Sequence, residues 1–213
     1  MIVADSGYIT EYDYPVTVQC IVREANKQNL EPEMVWAILR QENGRVNKHS
    51  VNTNKTLDIG PMQINNGKME KALKELQEAS NMSYPEFRSR LYKDACFNVS
   101  VGAYVLRKKI NAAGSNFKGM GWYNSANEPH YSRYLASVKE HYYTLKKSSK
   151  VQQEISAAKM DLYANEYKVQ PKNADVSKSK KSKSITNQFV QDNNSFYNLP
   201  ANIKIPKTQI VYR

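Results

Sequence analysis

Glu31-Pro32-Glu33-Met34-Val35-Trp36-Ala37-Ile38-Leu39-Arg40-Gln41-Glu42-Asn43-Gly44 is the stretch on which the fold class turns. Its proline falls in the first turn of a helix, where a missing N–H is no loss. Val35, Ile38 and Leu39 form an apolar stripe at helical spacing, and extending that stripe by three or four residues reaches Glu42. A carboxyl in line with core side chains is costly to ionise, which suits it to hold a proton near neutral pH and donate it as a general acid. The same spacing also fits a glutamate that ends a helix by pointing into water. The residues around it in the rest of the chain decide between the two.

Upstream, Asp13-Tyr14-Pro15 reads as a cap and first turn, and Val18, Ile21, Val22 and Ala25 follow at i, i+3, i+4 and i+7. Downstream, from Gly44 to Asn66, helical spacing stops. Asn, Thr, Lys and Gly surround one short apolar group, and the segment is expected to be irregular or weakly β-like. Helical spacing resumes at Met69, Leu73 and Leu76, at Val99, Gly102, Ala103, Leu106 and Ile110, and at Tyr131, Tyr134, Leu135, Val138 and Tyr142. The expectation is an all-α domain over residues 13–146. Beyond Lys146 the pattern fades, and Lys178-Ser-Lys-Lys-Ser-Lys-Ser184 has no apolar face to bury, so residues 147–213 are expected to be a basic, mostly disordered extension. A short apolar run from Ile203 to Tyr212 is the one candidate strand or docking peptide there, and Pro206 interrupts its alternation.

The formal charge of +11 belongs mainly to that extension, which from Lys146 onward holds thirteen Lys/Arg against five Asp/Glu. With only +3 left for the folded part, a sequence-specific nucleic-acid role is disfavoured. The tail also lacks the interleaved aromatics of a single-strand platform. No run is long and apolar enough to span a bilayer, and the first residues lack the basic and apolar regions of an export signal. His49, His130 and His141 have no metal-ligand spacing with Cys or carboxylates. Cys20 and Cys96 fit neither a redox nor a zinc motif. They read as buried free thiols or, in an exported protein, as a disulfide between two helices.

Four segments occur in a telling order: Gln41-Glu42-Asn43-Gly44; Asp58-Ile59-Gly60-Pro61-Met62-Gln63-Ile64-Asn65; Cys96-Phe97-Asn98-Val99-Ser100-Val101-Gly102-Ala103-Tyr104; and Trp122-Tyr123-Asn124-Ser125. In this order and spacing the chain resembles the soluble lytic transglycosylases of goose-lysozyme-like (SLT) fold. It is most similar to the specialised members that accompany secretion and conjugation systems. The resemblance covers about Tyr14 to Tyr143. It implies that Glu42 is the catalytic acid/base, that Gly60, Met62, Gln63 and Ile64 line a sugar cleft, and that Tyr123 and Asn124 belong to the substrate-binding wall. It also implies a Cys20–Cys96 pair. Three departures stand out: Asn43 where the family usually has Ser, Pro61 where it has Leu, and Trp122 where it commonly has Ala.

The implied reaction cleaves the bond between N-acetylmuramic acid and N-acetylglucosamine in peptidoglycan, without metal or cofactor, in the periplasm or cell envelope. The partners implied are glycan strands and components of a secretion or conjugation apparatus. Hydrolysis of the same bond by the two-carboxylate scheme would need a second acid. Asp58 is the candidate, although its place before Gly60 equally suits a turn or capping role. A wall-binding protein without turnover is the remaining alternative.

Overall fold

The computed structural model describes residues 16–67 and 70–168. Among them are eight helices and three short strands, so the all-α expectation is met. At the centre is α5 (Ala95–Ala113), buried on every side from Phe97 to Leu106, as a helix must be when other elements surround it. Asp94 starts it by accepting a hydrogen bond from the Phe97 N–H at 2.9 Å. Beside it runs α2 (Pro32–Glu42), whose residues Pro32 to Leu39 are all buried. The proline is at the helix start, as its chemistry requires.

The first helix, α1 (Val18–Lys27), is capped by Thr17, whose side chain accepts from the Cys20 N–H at 3.2 Å. The cap expected at Asp13-Tyr14-Pro15 lies outside the described residues, as does Met69. Cys20 and Cys96 are joined in a disulfide, with 5.8 Å between their Cα atoms, and the bond ties α1 to the first turn of α5. Two helices that the apolar spacing did not single out complete this side: α4 (Tyr84–Lys93), which follows α3 (Glu70–Ala79), and α6 (Asn116–Trp122), packed along α5. The long α7 (His130–Lys147) lies along α2.

The segment from Gly44 to Asn66 forms an antiparallel sheet in the order β1 (His49–Val51), β2 (Leu57–Ile59), β3 (Ile64–Asn65). Its register aligns Ser50 with Asp58 and Asp58 with Asn65. The next row aligns His49 with Ile59 and Ile59 with Ile64. Because side chains alternate along a strand, the Ser50–Asp58–Asn65 row and the His49–Ile59–Ile64 row occupy opposite faces.

The helical pattern expected to fade near Lys146 continues instead. Ser149–Lys168 is a further helix, α8, with Val151, Ile155 and Ala158 buried where it packs on α1. Polar ties reinforce this packing. Gln152 donates both to the Leu145 carbonyl and to Glu33, and Lys146 pairs with Glu33 and Glu31. Glu33 is almost completely buried, so these partners satisfy a charge that would otherwise be expensive to bury. The correction concerns residues 149–168 only; the Lys/Ser run and the apolar stretch from Ile203 to Tyr212 lie outside the described residues.

Candidate active site

Glu42 is the last residue of α2 and is half-buried. The hydroxyl of Tyr134 on α7 donates a hydrogen bond to its Oε1. One residue earlier and one turn on, the Ser137 hydroxyl donates to the Gln41 side chain. These two pairs hold the end of α2 against α7 and set the direction of the Glu42 carboxylate. Asn43 then ends the helix in the left-handed region, at φ 47°, with its N–H on the Leu39 carbonyl. Asn tolerates that conformation better than other side chains, which gives the departure at this position a local cause.

Gly44 brings the chain onto the second motif. Its N–H donates to the Pro61 carbonyl at 3.2 Å, and a Cβ here would sit 2.0 Å from the Gly60 oxygen. No larger residue passes at that distance. Gly60 itself has φ +69°, and a Cβ on it would strike the Asn98 amide at 2.3 Å. Pro61 has no N–H to place, and its carbonyl is the group the turn uses.

Gln63 closes this loop. Both its backbone N–H and its Nε2 donate to the Gly60 carbonyl, at 3.0 and 2.9 Å, while its Oε1 accepts from the Ser50 hydroxyl at 3.1 Å. The side chains of Met62 and Ile64 are fully buried, so what these two offer a ligand is backbone. Met62 lies against Gly102 of α5, where even a methyl group would come within 2.9 Å of its Cβ. Its carbonyl accepts from the Tyr123 hydroxyl at 3.0 Å. Tyr123 is buried, and burial together with the negative charges of Glu42 and Asp58 holds its hydroxyl well above the ordinary value, so it stays protonated and a donor. Asn124 follows directly on the exposed side, and Trp122 is half-buried at the end of α6.

Asp58 occupies neither a turn nor a cap. It lies in the middle of β2, where its Oδ1 accepts from Asn65 at 2.6 Å and its Oδ2 from Asn52 at 3.0 Å. Each oxygen is thus committed to a side-chain amide within the sheet. Among the described residues no group of three or more His, Cys, Asp or Glu could hold a metal ion.

Two residues of this arrangement are absent from the sequence-derived site. Tyr134 reads only as one member of an apolar stripe; nothing in the spacing shows that its hydroxyl meets a carboxylate 92 residues earlier. Asn98 is fully buried and holds the loop from below. Its Oδ1 accepts from the Met62 N–H at 2.8 Å, and its Nδ2 donates to the carbonyls of Ile59 and Leu91, both at 2.9 Å. A signal for it exists, since an amide inside the run Phe97-Asn98-Val99 must find partners once buried.

A search of the curated proteins returned no match. Residues 19–143, more than half of the chain, match the family model described as the transglycosylase SLT domain. Its members are lytic transglycosylases that act on peptidoglycan in the cell envelope, and their fold is the lysozyme-like all-α form. On that match, the protein belongs to the transglycosylase SLT domain family.

Proposed function

We propose that this chain is a lytic transglycosylase that cuts the β-1,4 bond between N-acetylmuramic acid and N-acetylglucosamine, with Glu42 serving first as acid and then as base. The observation that carries this reading is the Glu42 carboxylate at the end of α2, oriented by Tyr134 and reached by the chain turn that docks on Gly60 and Pro61. In the first step Glu42 gives its proton to the glycosidic oxygen as the bond to the anomeric carbon breaks. In the second, its carboxylate takes the proton of the muramoyl 6-hydroxyl, whose oxygen bonds to the anomeric carbon and closes a 1,6-anhydro ring. No water is consumed, and Glu42 ends protonated as it began. The nucleophile belongs to the substrate, so proximity replaces a second carboxylate.

The substrate's N-acetyl carbonyl supports the positive anomeric carbon, and the loop holding Gln63, with Tyr123 behind it and Asn124 beside it, positions the sugars. Met62 and Ile64 contribute by shaping that loop from within, and Gly60 by letting it approach Asn98. The periplasm is the compartment in which such an enzyme meets its substrate and in which a Cys20–Cys96 bond persists. The biological task we infer is local opening of the wall for a secretion or conjugation apparatus, a reading that rests on the sequence resemblance.

Hydrolysis with Asp58 as the second carboxylate is the competing reading, and the Asn52 and Asn65 bonds to Asp58 weigh against it. Glu42→Gln and Asp58→Asn, compared on purified peptidoglycan, separate the two. The transglycosylase reading expects Glu42→Gln to be inactive and Asp58→Asn to keep producing anhydro ends at a reduced rate. Equal inactivity of two folded variants, with reducing ends from the unaltered protein, would establish the hydrolase.

A further inference from the structure

On the far side of the sheet from Asp58 lies a groove of about 510 Å³. Its floor is Leu57 and Ile59 of β2, with His49 of β1 beside them, and its wall is the outward stripe of α4. That stripe is Tyr84, Arg88 and Tyr92, at successive four-residue intervals. Of this stripe only Tyr92 packs against the core; α4 turns Phe87 and Leu91 inward for that purpose and leaves Tyr84 and Arg88 exposed. Tyr84 is 59% exposed although it is a large ring, and the rings of His49 and Tyr92, both lining the groove, are 5.8 Å apart. Among the described residues that line the groove none is acidic, and Arg88 supplies a planar cation.

An exposed tyrosine ring, an apolar floor and one guanidinium together suit an acetamido sugar with a carboxylate attached nearby, since sugar rings pack on aromatic faces and Arg pairs bidentately with carboxylates. The strand that fits this description is the one the proposed reaction already uses: its muramoyl sugars carry stem peptides bearing carboxylates. We propose that this groove is a second peptidoglycan-binding site, which takes a sugar ring on Tyr84 and a stem-peptide carboxylate on Arg88. The inference rests on the proposed function for the choice of ligand and not for the groove itself. Its place beside the catalytic loop is mechanically direct, because Asn98 bonds at once to the Ile59 carbonyl in the floor and to the Leu91 carbonyl in the wall helix. A strand held here keeps the enzyme on the wall between cuts and raises the local concentration of cleavable bonds.

The test uses the full chain carrying Glu42→Gln, so that strands are bound and not cut, sedimented with purified insoluble peptidoglycan at physiological salt. Adding Tyr84→Ala and Arg88→Ala is expected to weaken binding about tenfold or more, with an unchanged melting temperature. Peptidoglycan stripped of its stem peptides is expected to bind the Glu42→Gln protein less tightly and to be insensitive to Arg88→Ala. With Glu42 restored, the Tyr84/Arg88 variant should cut short soluble strands at the normal rate and intact wall more slowly. Binding within twofold of the parent, or no binding by the parent, overturns the proposal. Absence of turnover by the unaltered protein on either substrate overturns the catalytic reading instead, leaving the binding comparison to stand or fall separately.

Discussion

Replacing Asn98 with Ala removes three hydrogen bonds at one point of the core, and the loss can be worked from the geometry. The Met62 N–H loses its acceptor, and the carbonyls of Ile59 and Leu91 lose a donor, all at a side chain with no solvent exposure. A buried group left unpaired costs roughly 1–3 kcal/mol. Taking the lower half of that range for each of the three groups gives a destabilisation of about 3–6 kcal/mol, which for a domain of this size lowers the melting temperature by on the order of 10 °C. Asn98→Asp sharpens the test. It keeps the acceptor for Met62 but aims a second oxygen at two carbonyl oxygens, so it should be no more stable than Asn98→Ala at neutral pH. Urea unfolding with the disulfide intact measures both. Either variant within 1 kcal/mol of the unaltered protein would refute the claim that this amide pins the loop through Gly60 and Met62.

Gly102→Ala should destabilise by about 1–3 kcal/mol and also slow catalysis, because Met62 must shift and its carbonyl holds Tyr123; a fully active, equally stable variant would contradict this. Tyr134→Phe should leave the fold intact while lowering kcat by about one to two orders of magnitude, the worth of a hydrogen bond to a carboxylate, as steady-state rates on purified peptidoglycan would show. Burial raises the Glu31 carboxyl, but the Lys146 ammonium and the Tyr142 hydroxyl outweigh it and hold the group below its ordinary 4.5. Its contribution to stability is therefore fully present above about pH 4.5 and is lost as pH falls through the lower folded value. Urea midpoints measured down this range should fall less steeply for Lys146→Met than for the unaltered protein.

Much of this arrangement is legible in the chain because it depends on local periodicity. Val35, Ile38 and Leu39 point along α2 to Glu42, and the structure puts Glu42 at the helix end, two residues before the Gly44 N–H that docks on the Pro61 carbonyl. What escapes a local reading depends on contacts distant in sequence or on weak signals. The α4 helix buries only Phe87 and Leu91, too few positions to set a period. In α8 the burying positions Val151, Ile155 and Ala158 do fall at i, i+4 and i+7, but Lys, Gln and Glu around them and the basic run beyond obscure the stripe. Strands of two or three residues have no alternation to read, so the row that aligns Ser50, Asp58 and Asn65 emerges only from the pairing. The same holds for Asp58, whose turn-like sequence context gave way to a strand position held by two amides.

Mass spectrometry of the fragments released from purified peptidoglycan tests the central claim most directly, with Glu42→Gln as control. The account predicts muropeptides one water lighter than their hydrolysed counterparts, ending in 1,6-anhydro muramoyl residues and absent from the control. Fragments with reducing ends, or anhydro fragments released equally by Glu42→Gln, would contradict it.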